Sequence, residues 1–261
     1  MASDELILTE RRGDVLVITL NNPDRLNAAR PAMFGEIGAA LSDLKGARAV
    51  LLTGTGRAFC SGADVAGGSL TTADPPQASF DALTNSYNPV LARIADLSVP
   101  VVSAVRGPAA GIGCSLALSA DFVVASDTAY FLEAFVNIGL VPDGGASWML
   151  TRLIGKGRAM EMVMLGNRVP AAKALDWGMI HKVVADDALD AEAFALAERL
   201  AAGPTKALGL MRRAMTTALE TDYATAMARE ASDQREAMRS PDAAEGARSF
   251  VEKRKPSFTG R

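Results

Sequence analysis

Apolar residues fall along this chain at two spacings, and the switches between them mark its elements. Leu6–Arg11 and Val15–Leu20 are short apolar runs joined by Arg12-Gly13-Asp14, which predicts a β-hairpin. From Pro31 to about Lys45 the apolar positions Met33, Ile37, Leu41 and Leu44 recur at helical spacing, and Pro31 suits a first helical turn. Ala49–Thr53 predicts a buried strand that ends in Gly54-Thr-Gly56, and Ala58-Phe-Cys-Ser-Gly-Ala-Asp-Val65 follows as a turn of small residues. Gly67 to about Ser79 is rich in Gly, Ser, Thr and Pro and predicts a mobile loop, with a helix over Phe80–Ala95 beyond it. A β-branched run from Val101, bounded in front by Pro100, predicts another buried strand. It leads through Gly107, Gly111 and Gly113 into an apolar run of helical character. Phe122–Ala125 and Val183–Val184 predict short strands. Phe135 to Gly145 is an apolar segment closing in an acidic glycine turn. Helices are predicted around Trp148–Ile154, Gly157–Leu165, Ala171–Trp177 and Leu189–Ala201, and beyond Gly203-Pro204 the pattern is almost wholly helical to about Glu252. Strands alternating with helices to about residue 190 indicate an α/β core, and the helical tail reads as a packing or oligomerisation appendage. No internal repeat is evident.

Composition narrows the function classes. The 261 residues are 49% hydrophobic and 22% charged, enough to fill a core and remain soluble. A net charge of −3 argues against a nucleic-acid partner, which favours a basic face. The acidic start Met1-Ala-Ser-Asp-Glu-Leu6 lacks an apolar signal core and no apolar run reaches membrane-spanning length, so a cytoplasmic protein with no membrane insertion is expected. Cys60 and Cys114 are far apart without a metal-ligand pattern and read as buried thiols; no metal site is expected. The chain has one histidine, His181, in the strand-like run Gly-Met-Ile-His-Lys-Val-Val. A Ser–His–Asp hydrolase would depend on it alone and is disfavoured.

The strand–glycine turn–helix around Gly107–Gly113 brings backbone N–H groups to a point. The first N–H groups of a helix lack partners within it, and the helix dipole adds partial positive charge there. Such a turn holds a phosphate or a developing oxyanion, or it is simply a close approach of helix to sheet. The spacing is not Gly-x-Gly-x-x-Gly, which disfavours a dinucleotide-binding oxidoreductase, and no Gly-Lys-Ser/Thr follows to make a phosphate loop of the Walker type.

Several segments in order resemble the crotonase superfamily, the enoyl-CoA hydratase/isomerase fold. They are Leu20-Asn-Asn-Pro-Asp-Arg-Leu-Asn-Ala28, Gly56-Arg-Ala-Phe-Cys-Ser-Gly-Ala-Asp64, Pro100 to Asp121, Gly139-Leu-Val-Pro-Asp-Gly-Gly145, Arg152-Leu-Ile-Gly155, Ala174-Leu-Asp-Trp-Gly-Met-Ile180, and Glu245-Gly to Phe258. The resemblance implies an α/β spiral of repeated ββα units over residues 1–200 carrying an acyl-CoA site. It also implies a helical region over 201–261 that builds homotrimers, often paired into hexamers. Coenzyme A is then part of the substrate, and no separate cofactor is expected. The shared chemistry is stabilisation of a thioester enolate by two backbone amides, which by position are those of Ala63 and Ile112. Ile112 replaces a glycine more often seen there, a change that keeps the backbone donor.

The hydratases of this family use two glutamates. At the matching positions this chain has Ser115 and Phe135, neither of them a general base at neutral pH without further activation. Glu133, two residues from Phe135, is not counted as a substitute because direction alternates along an extended run. What remains is Asp143, which resembles the acid of the isomerase branches, including the Δ3,Δ2-enoyl-CoA isomerases and the ring-epoxide acyl-CoA isomerase of phenylacetate breakdown. Phe135, Leu140, Val141 and Trp148 are expected to raise its pKa. An aspartate before Gly-Gly is also a common turn or cap residue. The resemblance places Arg25 and Leu26 at the adenine and phosphates of CoA, and the backbone of Ala63, Asp64 and Val65, with Gly111, along the pantetheine and thioester. Lys253 and Lys255 are candidates for the CoA phosphates from a neighbouring subunit. The expected function is an enoyl-CoA isomerase. A hydratase and a non-catalytic acyl-CoA binder stand as alternatives.

Overall fold

Hydrophobic alternation becomes a sheet covered on both faces. The computed structural model describes residues 5–64 and 71–261. The strands are β1 (Ile7–Arg12), β2 (Val15–Leu20), β3 (Ala49–Gly54), β4 (Val101–Val105), β5 (Pro108–Ala110), β6 (Phe122–Ser126), β7 (Tyr130–Leu132), β8 (Val169–Pro170) and β9 (Lys182–Val184). Six of them form one sheet in the order β1-β2-β3-β4-β6-β9, and β5, β7 and β8 form a second. The β1–β2 pair is the antiparallel hairpin, with Arg12 opposite Val15 and Gly13 at φ +59°; from β2 to β9 the large sheet is parallel.

Strand alternation decides which residues meet which helices. The helices are α1 (Pro31–Ser42), α2 (Pro75–Ala82), α3 (Asn88–Asp96), α4 (Ile112–Leu118), α5 (Ala146–Leu165), α6 (Ala171–Asp176), α7 (Leu189–Ala201), α8 (Thr205–Ala218), α9 (Tyr223–Ala237) and α10 (Pro241–Val251). Val15 and Val17 face one side, where α7 lays Leu189, Ala193, Ala197 and Ala201 on the sheet at a spacing of one helical turn. Leu16, Ile18 and Leu20 face the other side, packing with Met33, Phe34 and Ile37 of α1 and with Leu116 of α4. Parallel strands buried on both faces explain why β4 (Val-Val-Ser-Ala-Val) is buried at every position. Arg212 of α8 ties the C-terminal helices to this core: its guanidinium donates to the Asp121 carboxylate at 2.6 Å and to the carbonyls of Leu97 and Ile94 at 2.6 and 2.8 Å. No helix among the described residues is long and apolar enough to cross a membrane.

Several boundaries differ from expectation. Of the loop expected over Gly67–Ser79, residues 67–70 lie outside the described residues, and the segment from Pro75 is helical. Pro75 fits the first turn of α2, and the Asp74 side chain caps it by accepting from the Gln77 N–H at 3.3 Å. The single helix expected over Phe80–Ala95 is interrupted by a π-helical turn at Leu83–Tyr87. The two helices expected on either side of Gly155 are both present within α5, which kinks at Gly155, itself non-helical at φ 75°, ψ 158°. The strands of the second sheet are two or three residues long, too short to set up an apolar period.

Candidate active site

Two backbone turns are stitched side by side. The Cys60 N–H donates to the Pro108 carbonyl at 3.0 Å, and the Ala110 N–H donates to the Cys60 carbonyl at 2.9 Å. The first turn is fixed from its other edge, where the Ala29 N–H donates to Gly62 at 2.7 Å and the Asp64 N–H to Ala29 at 2.9 Å. These bonds occupy the neighbours of Ala63 and leave its own N–H without an acceptor among the described residues. In the second turn Gly111, at φ 51°, ψ −126°, precedes α4, and Ile112 is the first helical residue. Its N–H has no acceptor within the helix. Ala63 and Ile112 line one cavity of about 540 Å³.

Close contact between the turns depends on Gly113. A Cβ there would lie 2.6 Å from the Cys60 carbonyl oxygen and 2.7 Å from the Cys60 Sγ. Gly113→Ala is therefore expected to lose roughly 1–3 kcal/mol of stability by overpacking, measured by urea denaturation. An unchanged midpoint would mean that α4 has room to shift.

The acid of this cavity is Asp143. It sits in Pro142-Asp143-Gly144-Gly145, with both glycines at positive φ, just before α5. Its carbonyl accepts from the Ser115 hydroxyl at 3.1 Å and from the Ala146 N–H at 3.0 Å. Asp143 lines the cavity, and its Oδ1 is buried with no hydrogen-bond partner among the described residues. Burial, which disfavours the charged form, pushes this carboxyl up to about 6. Phe135 and Leu140 line the same cavity. Val141 and Trp148 do not contribute as expected: Val141 is 78% exposed, and the Trp148 indole N–H is turned to Glu220 at 3.0 Å.

Glu133 is turned away from this cavity. It follows β7 on the same side as buried Phe131, is itself 0% exposed, and is not among the cavity's lining residues. Neither carboxyl oxygen has a well-formed hydrogen bond, and burial pushes the group up to about 8. Cys114 lies beside it. Cys60 and Cys114 are free, buried and driven up by burial, Cys60 to about 11, so neither offers a thiolate. His181 packs edge-on against Phe122, with ring centroids 5.1 Å apart.

The residues expected near CoA separate into two groups. Ala63, Asp64 and Gly111 line the cavity, while Arg25, Leu26, Lys253 and Lys255 do not, and Val65 lies outside the described residues. The Asp64 carboxylate is 4% exposed and bridges two cations, Arg25 at 2.7 Å and Arg30 at 2.9 Å. Lys253 and Lys255 are exposed just past α10. Arg30 and Tyr87 are lining residues that the sequence does not flag. Arg30 precedes Pro31 at the start of α1. Tyr87 ends the π-helical turn, donates to the Ala29 carbonyl at 3.3 Å, and is pushed by burial up to about 12, which keeps it a neutral donor. A π-turn often marks a functional site, but nothing in Leu83–Tyr87 announces one in sequence.

The family model described as enoyl-CoA hydratase/isomerase matches residues 10–261 of this chain. A 1,2-epoxyphenylacetyl-CoA isomerase of Escherichia coli K12 is 40% identical over 260 residues, covering 98% of this chain and 99% of that protein. A probable enoyl-CoA hydratase of Rhodobacter capsulatus is 41% identical over 246 residues, covering 94% of each. Among solved structures, an enoyl-CoA hydratase from Polaromonas sp. JS666 is 30% identical and superimposes with a TM-score of 0.92 over 97% of this chain and 99% of that one.

Proposed function

The chain belongs to the enoyl-CoA hydratase/isomerase family, and from that premise we propose that it is an acyl-CoA isomerase that moves a double bond along an enoyl-CoA thioester, with Asp143 as both acid and base. The observation that carries this reading is that Asp143, whose Oδ1 has no hydrogen-bond partner among the described residues, lines the same cavity as Ala63 and Ile112, whose amide N–H groups have no acceptor there. The Asp143 carboxylate removes a proton from one carbon of the acyl chain. Charge then moves onto the thioester oxygen, which accepts hydrogen bonds from the two amides. The same carboxyl returns the proton to another carbon of the dienolate. A group held near 6 has both protonation states within reach at neutral pH, as one that takes and gives a proton requires. Hydration asks for a second group to deliver water, and Ser115 and Phe135 supply no carboxylate.

The phosphates of CoA are assigned in this reading to Arg30 at the cavity, with Arg25 joined to it through Asp64. Lys253 and Lys255 take part from a neighbouring subunit in a trimer or hexamer. Exposed Met211 and Met215 on α8 and Met227 on α9 support association of copies through the C-terminal helices.

The similarity to a protein named a probable hydratase keeps a second reading in view. Products separate the two. With 3-enoyl-CoA and 2-enoyl-CoA supplied in turn, interconversion of the two without 3-hydroxyacyl-CoA is expected. Hydroxyacyl-CoA as the main product would overturn the isomerase assignment.

A further inference from the structure

We propose that Ser115 is a positioning residue that locks the Asp143 turn onto helix α4, so that one rigid element sets the distance between the oxyanion donor and the acid. This rests on the reading of Asp143 given above. Ile112 and Ser115 are three residues apart and share a face of α4. The first supplies the amide, and the second donates its hydroxyl to the Asp143 carbonyl at 3.1 Å. Between them the Asp143 turn is pressed flat against the helix. A Cβ on Gly144 would fall 2.6 Å from Ile112 Cδ1, 2.8 Å from Ser115 Cβ and 3.0 Å from Ser115 Oγ. Gly144 also has φ +58°, so two independent constraints keep this residue a glycine.

Ser115 is 1% exposed and does not line the cavity, so it acts through Asp143 and not on the substrate. A side chain at position 115 without a hydroxyl would lose this bond to the Asp143 carbonyl. Side chain and helix together replace the flexibility of a glycine-rich turn with a fixed geometry, and misplacement of a reacting group by about 1 Å is worth as much as a hundredfold in rate.

Ser115→Ala and Ser115→Thr test the clamp, since threonine keeps the hydroxyl. In Ser115→Ala, kcat is expected to fall about tenfold or more with KM within about twofold. The Asp143 carboxyl, followed by carbon NMR of labelled aspartate, is expected to titrate lower than its present midpoint near 6, because the freed turn lets water reach it. Ser115→Thr is expected to keep both. Wild-type kcat and midpoint in Ser115→Ala would overturn the proposal. So would loss of kcat in both variants with the midpoint unmoved, which is the signature of a packing defect. Asp143→Asn separates the two levels of inference: if it is inactive while Ser115→Ala is normal, only the clamp fails. If Asp143→Asn keeps turnover, the acid assignment fails and the clamp falls with it.

Discussion

Asp143→Asn is expected to lower turnover of 3-enoyl-CoA by about 10²–10⁴-fold while leaving acyl-CoA affinity within about twofold. The amide fills the space of the carboxyl but neither takes nor returns a proton. Both amides that would hold the thioester oxygen belong to other segments: Ala63 is fixed by the Ala29 bridge, and Ile112 by the start of α4. Binding therefore survives while the proton transfer does not. The pH profile supplies a second readout. With the base in the free enzyme held near 6, kcat/KM rises as pH climbs through that value and then levels, because only the carboxylate abstracts a proton. The asparagine variant lacks this limb. Its folding is not expected to suffer: the acid's raised pKa means that its ionised form is disfavoured in the native state, so a neutral replacement removes that penalty at neutral pH. Full turnover by the variant, or a wild-type pH limb that persists in it, would remove Asp143 from the reaction.

The parts of this molecule that could be read from its sequence are those whose cause is local. The Gly13-Asp14 hairpin, the buried run of β4 and the helix at Leu189–Ala201 follow from turn chemistry and periodicity, and the structure has all three. The second sheet escaped because β5, β7 and β8 are held by what they meet, as when β5 is extended by the Cys60 bridge to Ala109. The same divide runs through the site. Asp143, Ala63 and Ile112 stand in glycine turns that a sequence displays, and the cavity gathers all three. Arg30 and Tyr87 reach it through the packing of α1 and the π-turn before α3, which no short motif encodes. Of the neighbours expected around Asp143, Phe135 and Leu140 line its cavity, whereas Val141 is exposed and Trp148 is turned elsewhere. Being next in sequence does not decide which side of a turn a side chain occupies, and Trp148 is drawn off by Glu220. Asn27 is a motif residue that serves the structure. Its side chain donates to the carbonyls of Thr55 and Ala58 at 3.0 and 2.7 Å and accepts from the Asn22 N–H at 2.8 Å, tying down the loop before α1.

Glu133→Gln is expected to stabilise the fold, and to do so more as pH rises. The wild-type carboxyl has an ordinary value of 4.5 in the unfolded chain and is pushed by burial to about 8 in the folded one. Below 4.5 both states hold the proton, and the glutamate behaves as the neutral isostere that glutamine imitates. Between 4.5 and about 8 the folded state retains a proton that the unfolded state has lost, so unfolding releases it and stability falls with each rise in pH. Above about 8 the folded carboxyl is also ionised, and the loss levels off. A difference of roughly 3.5 units between the two states corresponds to about 5 kcal/mol at the plateau, the upper bound for a carboxyl that finds no water on ionising. The glutamine variant carries no such dependence at this site. Its advantage over the wild type, measured by urea denaturation at pH 5, 7 and 9, is expected to be small at pH 5, several kcal/mol by pH 9, and monotonic between. Asp143 titrates in both proteins, and its charge, which helps hold the Glu133 proton in place, is part of the wild-type dependence that the glutamine variant loses. A constant difference across that range would mean that Glu133 ionises as freely in the folded chain as in the unfolded one, through water reaching its oxygens. Turnover by the variant at pH 7 is expected to match the wild type, since Glu133 faces the core behind β7 and not the cavity that holds the acid.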